Sequence, residues 1–588
     1  MIAQSWKTQW HWFGLAVGLG VGSMVSVASN GTICLDKGDA HAQISPDNTL
    51  GAERSVVKPN VPVKGLPADL IQGGAARGVN LFHSFLKFNV EDGQRVYFAN
   101  LTGIENILSR VTGADPSKIL GTLGVDGGAN LFLLNPNGII FGSNARLDVA
   151  GSFVATTANS FKFPNGSEFS ATNPQAPPLL TINITPGLQY GPNHRATIAN
   201  AGNLTAGKDL TLAAGNLDLQ GQLQAGRDLT LRALDTVQVR DRVTAPFVAA
   251  ANGKLTVQGD RVVDIFALNH PNSGFMSGGD MVLRSAQPTN GDAHFWSSGN
   301  VRFERLDGNP GDWGSTTDPI IFANGDVSFG VYTGASLHIL AGGSVTSTGN
   351  ITITGAGPVG TTINPIAYPA LANVTTSDGT ALMIDGSSRP TLDIRAGIDW
   401  AQVGGAFGNA SSSPEPVVVF GNSATSADIS VNNIRLAAPG GLVFLSNQFQ
   451  PNRALPGGTI SVGTVRTDDV AGGFTGNSGA VLIDARANLT VTNNIATSSA
   501  SGNTGRVTLI AGGTISLSGS DIFNNVNGIG QGEDIRINTG SLVVTNGAQL
   551  QTITRGQGNA GNVIIDARDF VIFRGTDADG DISAAFSS

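Results

Sequence analysis

The chain has little of several features that often reveal a function. Cysteine occurs once in 588 residues, at Cys34, so neither a disulfide framework nor a cysteine-based metal site can be proposed. Charged residues make up only 13% of the chain and aromatic residues 6%, which is about half the usual charge content. After residue 30 no apolar run approaches the ~18 residues of a membrane-spanning helix. These absences exclude a small disulfide-rich domain and a helical membrane protein.

The charge balance and the glycine content narrow the class further. There are 34 basic and 43 acidic residues, a net charge of −9, and no basic footprint for a nucleic acid, so we expect none as a partner. Low charge argues against classical disorder, which requires high net charge and low hydrophobicity. The 79 glycines follow no strict three-residue period, which excludes collagen. What is left is a soluble, weakly charged chain with a core of small side chains.

Residues 1–42 have the features of an export signal. Lys7 gives a short positive start, residues 13–27 are apolar and uncharged, and Ala40-His41-Ala42 offers a small-residue cleavage site before Gln43. An apolar stretch of about 15 residues rich in glycine is too short for a membrane anchor. We therefore predict cleavage between Ala42 and Gln43, which leaves a mature chain without cysteine.

Internal repeats are the strongest signal in the sequence. AGKDLTL at 206–212 recurs as AGRDLTL at 225–231, 19 residues later. Farther along, VLIDAR at 481–486 recurs as VIIDAR at 563–568, and the hydrophobic positions Val481, Val507, Ile535 and Val563 align at spacings of 26, 28 and 28 residues. Self-similarity at such periods is the signature of stacked repeat architectures.

Each repeat contains a glycine-, asparagine- or aspartate-rich turn followed by four to six residues in apolar–polar alternation. This period of two is typical of strands, and stacking successive units buries one continuous core. We therefore predict an all-β protein with a right-handed parallel β-helix. A propeller and a β-sandwich array are the structural alternatives. Loops rich in proline and polar residues are expected at 164–192, 355–369 and 404–416.

The segment before these repeats is richer in large aliphatic residues and phenylalanine. It contains GVNLFHSF at 78–85, FNV at 88–90, RVT at 110–112 and ANLFLLNPNGIIFG at 129–142. Together these motifs resemble the haemagglutination activity domain, which is the secretion domain at the N-terminus of two-partner secretion exoproteins typified by filamentous haemagglutinin. The residues of these motifs are especially similar to those of cyanobacterial members of the family. The resemblance implies a capped secretion domain over residues 43–165, followed by a loop with the first repeat coils at 166–265 and irregular β-helix repeats at 266–588.

Two motifs of that family can be placed on this sequence. Asn135-Pro136-Asn137-Gly138-Ile139 matches its NPNGI motif in full, and the second motif, NPNL, falls on Asn100-Leu101-Thr102 with leucine in place of proline. The resemblance implies that residues 135–139 are a secretion motif. Physically, proline and glycine at these positions favour a tight turn, and the asparagine amides can bond to neighbouring backbone. A structural role alone is an open alternative, and we expect 131–134 and 139–141 to be buried strands of adjacent coils.

The resemblance also implies a partner and a location. The partner would be an outer-membrane barrel transporter of the two-partner type, and the product would pass through the periplasm to the cell surface or the medium. We expect an adhesin-like passenger, a monomeric rod that contacts surface glycans or cells, and no cofactor. The last repeat stops without a cap, so a truncated gene product is a further alternative.

Catalysis has to be weighed because parallel β-helices also include polysaccharide lyases and glycosidases. Such sites require clustered acids and bases, whereas the histidines of the mature chain are isolated, which is typical of surface or loop positions: His83, His194, His270, His294 and His338. Asp484 and Asp566 recur in register, and we expect them on solvated corners or paired with Arg486 and Arg568. The sequence therefore favours a protein that is not an enzyme, with a β-helical polysaccharide-active enzyme as the alternative.

Overall fold

The computed structural model describes residues 44–177, 187–191, 195–358, 362–363, 365–403, 424–468, 475–500 and 502–588. Two units are distinguished, residues 1–40 and 41–588, and the description concerns the second. The predicted signal peptide, its cleavage residues Ala42 and Gln43, His194 and the loop at 404–416 lie outside the described residues.

The second unit is a parallel β-helix in which each coil contributes a strand to three faces in turn. Face 1 consists of β3 (Leu66–Gly73), β6 (Arg95–Ala99), β9 (Thr122–Asp126), β12 (Arg146–Asp148), β18 (Asn203–Ala206), β21 (Gln222–Ala225), β24 (Val248–Ala251), β27 (Gly274–Ser277), β30 (Phe295–Ser297), β33 (Ile320–Ala323), β36 (Leu337–Ala341), β41 (Thr391–Arg395), β44 (Leu442–Ser446) and β47 (Ala480–Ala485). Face 2 consists of β5 (Asn80–Phe88), β7 (Asn106–Val111), β10 (Asn130–Leu134), β13 (Phe153–Thr156), β19 (Leu210–Ala214), β22 (Leu229–Ala233), β25 (Leu255–Gly259), β28 (Met281–Ser285), β31 (Val301–Glu304), β34 (Val327–Phe329), β37 (Val345–Ser347), β42 (Ile429–Val431), β45 (Ile460–Val462) and β48 (Leu489–Val491).

Face 3 forms a separate sheet. It consists of β8 (Ser117–Ile119), β11 (Ile139–Phe141), β17 (Thr197–Asn200), β20 (Asn216–Leu219), β23 (Thr236–Arg240), β26 (Val262–Phe266), β29 (Thr289–Asp292), β32 (Trp313–Ser315), β35 (Tyr332–Gly334), β38 (Ile351–Ile353), β43 (Ile434–Leu436), β46 (Val465–Arg466), β49 (Ile495–Ala496), β51 (Ile522–Phe523), β53 (Gln549–Thr552) and β55 (Ala584–Ser587). In the last three coils one long strand runs through faces 1 and 2: β50 (Val507–Ser518), β52 (Ile535–Thr545) and β54 (Val563–Arg574).

The register confirms the repeats that the sequence predicts. Leu210 pairs with Leu229 in the parallel ladder between β19 and β22. Val481, Val507, Ile535 and Val563 are paired in the same order along successive coils. The predicted all-β parallel β-helix is therefore confirmed, and the aligned residues are those that the sequence comparison aligned.

Alternation along each strand decides which side chains enter the core. In β19, Leu210 and Leu212 are fully buried while Thr211 between them is half-buried and faces outward. The same pattern repeats at Leu229 and Leu231 in β22. Since a single coil cannot bury these residues alone, the continuous interior cluster from Ile44 to Leu550 depends on stacking.

Antiparallel strands cover the first coil. β1 (Ile44–Pro46) and β4 (Ala75–Arg77) both pair with β5, and β2 (Ser55–Val63) forms a hairpin with β3. A one-turn 3₁₀ helix, Gly51–Glu53, connects β1 to β2. These strands pair with the backbone groups at the edge of the first coil, which would otherwise be open to pairing with another chain. The N-terminal segment therefore folds as a capped end of the β-helix.

Two insertions add a second layer outside the coils. After β13, three antiparallel strands follow: β14 (Ser160–Lys162), β15 (Glu168–Ser170) and β16 (Gly187–Gln189). After β38 come the one-turn α1 (Pro369–Ala372) and the hairpin of β39 (Asn373–Thr375) and β40 (Ala381–Met383). The predicted loop at 164–192 covers most of the first insertion, whereas the predicted loop at 355–369 ends before the hairpin of the second. Each insertion packs an apolar cluster of its own against the outside of the coils. No helix of the described segments is long and apolar enough to cross a membrane.

Candidate functional site: the motif turns of the N-terminal coils

Asn135 is the structural centre of the predicted secretion motif. It follows β10, is fully buried, and donates from Nδ2 to the carbonyl oxygen of Asp115 and to Oγ of Ser117, each at 3.0 Å. Its Oδ1 accepts the backbone N–H of Asn137 at 2.9 Å. Because Asp115 and Ser117 belong to the preceding coil, the Asn135 side chain fastens one coil to the coil before it.

The rest of the motif forms the turn from face 2 to face 3. The Gly138 N–H donates to the Asn135 carbonyl oxygen at 3.2 Å, and Gly138 has a φ of +116°, a conformation that L side chains rarely adopt. Ile139 is fully buried in the core. Pro136 is half-buried and Asn137 is exposed, so these are the two motif residues that a partner can reach.

The strands that flank the motif are buried, as the sequence predicts, but the prediction that they belong to adjacent coils is wrong. β10 and β11 are successive faces of a single coil, not neighbouring strands of adjacent coils. The reason is that the five-residue motif turns the chain from one face to the next. A step between adjacent coils requires about a full repeat, as between Leu131 and its partner Ile107.

The second motif also forms a turn, at another corner of the β-helix. Asn100 follows β6 at the end of face 1, and its Oδ1 accepts the backbone N–H of Ala129 in the next coil at 3.0 Å. Its Nδ2 donates to the carbonyl oxygens of Leu101 and Ile104, each at 3.3 Å. Leu101 and Thr102 are exposed. The leucine at the position of the family's proline is therefore compatible with the turn, and the structure does not bring the two motifs to the same corner.

A buried arginine joins the surroundings of these turns. Arg110 lies on the outer side of β7 and is fully buried. It donates from Nε to Oγ of Ser84 at 2.9 Å and from Nη1 to the carbonyl oxygen of Ser170 at 2.8 Å, and its guanidinium lies 4.1 Å from the ring centroid of Phe169. Burial lowers the pKa of Arg110 to about 10, so the side chain is charged at neutral pH.

Arg110 was not predicted as a functional residue. It stands in the RVT motif that carries the resemblance, and an arginine at an outward strand position reads as a solvated charge. The insertion after β13 contributes to its burial, since Phe169 covers the guanidinium and the carbonyl oxygens of Ser170 and Gln175 accept hydrogen bonds from it. A pattern of three phenylalanines within 161–169 is the one signal in the sequence that an outer layer covers this face.

The histidines are placed differently from the expectation of surface or loop positions. His83, His294 and His338 are buried, and only His270 of the described ones lies in a loop at intermediate exposure. Burial lowers the pKa of His83 to about 3, and burial together with the nearby His338 lowers that of His294 to about 4. These histidines are neutral residues of the packed structure, and sequence alternation could not distinguish inward from outward positions for a polar ring.

Asp484 also corrects an expectation. It does not pair with Arg486 and is not solvated, but is buried on the outer side of β47. It accepts the backbone N–H of Ser377 at 2.9 Å and the hydroxyl of the same residue. Burial raises the pKa of Asp484, although these hydrogen bonds oppose the shift. Asp566, at the equivalent place in the last coil, is exposed as expected.

Chemically, the site is a set of turns and hydrogen bonds. Among the residues that the structure describes, no group of three or more histidine, cysteine, aspartate or glutamate side chains could hold a metal ion. The polar atoms of Asn135 and Asn100 bond to the backbone of neighbouring coils. The arrangement can therefore fix the geometry of the first coils and present Pro136 and Asn137 at the surface.

Comparison with known proteins identifies the class. Residues 42–303 match the family described as the TPS secretion domain, where TPS stands for two-partner secretion. Similar solved structures are a filamentous hemagglutinin secretion domain (15% identity, TM-score 0.30, 52% of this chain and 99% of that chain) and the HMW1 secretion domain from Haemophilus influenzae (13% identity, TM-score 0.23, 88% and 97%). A search of curated proteins finds no match.

The chain contains a TPS secretion domain at residues 42–303. It is therefore a secreted passenger of a two-partner system. The match extends beyond residues 43–165, over which the sequence motifs carry the resemblance, and reaches β31 of the repeat coils. The cyanobacterial type stays a prediction.

Proposed function

We propose that this passenger is an adhesin-like surface protein. After residues 1–42 have been removed, an outer-membrane barrel transporter recognises its N-terminal secretion domain and exports it. The observation that carries the proposal is the match of residues 42–303 to the TPS secretion domain. The cap formed by β1, β2 and β4 supports it, because a closed first coil gives later coils a surface on which to stack. The passenger passes through the periplasm and is released or retained at the cell surface.

Within this proposal Pro136 and Asn137 are the contact residues of the secretion motif, whereas Asn135, Gly138 and Ile139 form its turn. The division rests on burial, since Asn135 and Ile139 are fully buried and Asn137 is exposed. At the second motif, Leu101 and Thr102 are exposed and Asn100 holds the turn. Residues that are exposed in the folded domain can be replaced without removing a core contact.

The repeat coils, which begin inside the secretion domain and continue beyond it, are proposed to act by multivalent contact with surface glycans or cells. Their strands present outward side chains in register from coil to coil, as at Thr211, Thr230 and Thr256. Identical groups repeated at the strand spacing of about 4.8 Å offer many weak contacts to a repetitive surface, and the second contact benefits from a high effective concentration. We propose a monomeric passenger without a cofactor or catalytic role.

The test is secretion by a bacterial strain that carries the partner transporter of the same genome. We expect the full chain in the medium or on the cell surface, and a chain without residues 43–165 in the periplasm. Replacing Pro136 and Asn137 by alanine should lower secretion while purified protein keeps its circular dichroism spectrum. The matched control replaces the exposed Asn165 and the half-buried Ser167, which lie in a turn of the same domain. Secretion of the deleted chain would contradict the proposal.

Adhesion is tested separately on the purified passenger. We expect binding to cells or immobilised surface glycans, with a loss of binding as repeat coils are removed from the C-terminal side. Release of reducing ends or unsaturated products from polysaccharides would instead favour the enzyme alternative.

A further inference from the structure

Asp47 is the acidic counterpart of Arg110 in the N-terminal cap. Its Oδ2 accepts the hydroxyl of Thr112 at 2.6 Å and that of Ser84 at 2.8 Å, and its Oδ1 accepts the backbone N–H of Thr49 at 3.0 Å. Burial alone would raise the pKa of Asp47, but these hydrogen bonds keep it below the ordinary value. Asp47 is therefore a carboxylate held among hydroxyl groups.

Arg110 reaches the same hydroxyls from the other side. Its Nη2 donates to Oγ1 of Thr49 at 2.8 Å, and its Nε donates to Oγ of Ser84 at 2.9 Å. Ser84 thus accepts from the guanidinium and donates to the carboxylate, so that it bridges the two charges. The charges face each other across one layer of hydroxyls, with Arg110 fully buried and Asp47 half-buried.

The guanidinium has a second set of partners on the outer layer. Nη1 donates to the carbonyl oxygen of Ser170 and Nη2 to that of Gln175 at 2.9 Å, while Phe169 covers its plane. The partners of this one side chain are therefore supplied by residues 47–49, by residue 84 and by residues 169–175. A buried charge that lacks some of its hydrogen-bond partners is strongly unfavourable. Burial of the Arg110 guanidinium therefore requires all three segments to be in place.

We propose that Arg110 and Asp47 form a closing lock, in which the N-terminal strand β1 and the outer layer of β14 and β15 attach to the coils together, and only when residues up to 175 are present. The cap consequently does not close coil by coil from the N-terminus. The role of this lock in export rests on the proposed function. During export the secretion domain would stay open until the chain as far as residue 175 has reached the cell surface.

Hydrogen exchange of the full chain from Gln43, read by mass spectrometry, tests the lock. In the unmodified chain we expect the peptides covering 44–50 and 168–175 to exchange with the same opening equilibrium. In Arg110→Met both should lose protection together, by about tenfold or more, because the contacts of Arg110 to Thr49 on one side and to Ser170 and Gln175 on the other are lost at once. Peptides covering 229–259 of the repeat coils should not change.

Two further variants keep the test decisive if Arg110→Met does not fold. Thr49→Val removes the hydroxyl between the charges, and Asp47→Asn removes the charge while it keeps the shape. Each lies on the N-terminal side, yet the lock requires protection at 168–175 to fall as well. The matched control is Arg77→Met, which breaks an ion pair with the exposed Glu53 in the same domain and should change protection less than about fivefold.

Refolding from denaturant supplies a readout that a purely structural contact would not affect. With pulse labelling, we expect 44–50 and 168–175 to become protected in one phase, and Arg110→Lys, which keeps the charge but not the forked geometry, to slow both together. Independent protection of 44–50 before 168–175, or loss of protection at only one of them in any variant, would overturn the lock. Neither result depends on the transporter, so failure of the lock is distinguishable from failure of the proposed export.

Discussion

The side-chain amide of Asn106 donates to the side-chain oxygen of Asn80, one coil earlier, at 2.9 Å. Asn130 in the following coil makes the same bond to Asn106, also at 2.9 Å, and its own oxygen accepts the backbone N–H of Ser152. Three successive coils are thus joined by a ladder of asparagine amides at the start of face 2. Asn106 and Asn130 each use both the donor and the acceptor of the side-chain amide along the stacking direction.

Replacing Asn106 by alanine should destabilise the first coils. The change removes the donor to Asn80 and the acceptor for Asn130 in a place where Asn106 is only 3% exposed, and the expected cost is about 2–3 kcal/mol. Hydrogen exchange of peptides within 80–134 measures the local free energy of opening. Asn144→Ala is the control, since Asn144 is exposed and bonds to the exposed Asp92. Equal effects of both variants would refute the ladder's role.

Gly138→Ala should strain the motif turn for two reasons. Gly138 has a φ of +116°, and an added Cβ would lie 3.0 Å from the carbonyl oxygen of Thr197. We expect a loss of about 1–3 kcal/mol in the stability of the coil that contains β10 and β11. Gly93→Ala separates the two effects, because Gly93 has a φ of +75° with open space around it. Gly138→Ala should cost more, as measured by exchange in 130–142.

The middle coils should lose stability in mild acid. Folding lowers the pKa of His294 from 6.5 to about 4, so the unfolded chain takes up the proton first. The stability is complete above pH 6.5 and falls as pH decreases, by about 2 kcal/mol at pH 5 for this group. The fluorescence of Trp296, whose ring centroid lies 5.6 Å from that of His294, reports unfolding in denaturant.

The contribution of His294 is isolated by comparing pH 8 with pH 5. In His294→Gln the difference in unfolding free energy between these pH values should shrink by about 2 kcal/mol, whatever the variant's stability at pH 8. An unchanged difference would show that other groups account for the acid sensitivity.

Asp484→Ala should release the tip of the hairpin formed by β39 and β40. Asp484 is the acceptor of both Ser377 bonds, and its loss should increase cleavage by a protease in residues 376–380 by about tenfold or more. Asp566→Ala is a closely matched control, because it stands in the same sequence context, VIIDAR against VLIDAR, but is exposed. Cleavage that is unchanged in Asp484→Ala, or equally increased in the control, would contradict this contact.

The coils were predictable because their information is local and repeated. Alternation at Leu210 and Leu212 assigns the strand and its inner side, and the recurrence at Leu229 and Leu231 assigns the stacking register. The turn at Asn135 was predictable for the same reason, since proline and glycine restrict φ within a few residues. Which neighbours the asparagine amide reaches, at Asp115 and Ser117, depends on the preceding coil and could not be read from the motif.

The second layer could not be predicted, because it depends on contacts distant in sequence. Asp484 meets Ser377, 107 residues earlier, and Arg110 meets Gln175, 65 residues later. Both side chains stand at outward positions of strands, where alternation predicts solvent. An insertion that folds back onto the coils reverses this prediction for each residue it covers, and proline-rich composition marks only where it leaves the coil.

The insertion after β38 has a mechanical consequence. Thr362 bonds to His338 in β36, the carbonyl oxygen of Leu371 accepts from Arg395 in β41, and Ser377 bonds to Asp484 in β47. A force that pulls on one end of a β-helix would otherwise peel the coils away one by one at nearly constant load. Here the insertion bonds to the coils of β36, β41 and β47 along their outer surface, so we expect them to resist as one block and to yield in a single rupture event at higher force.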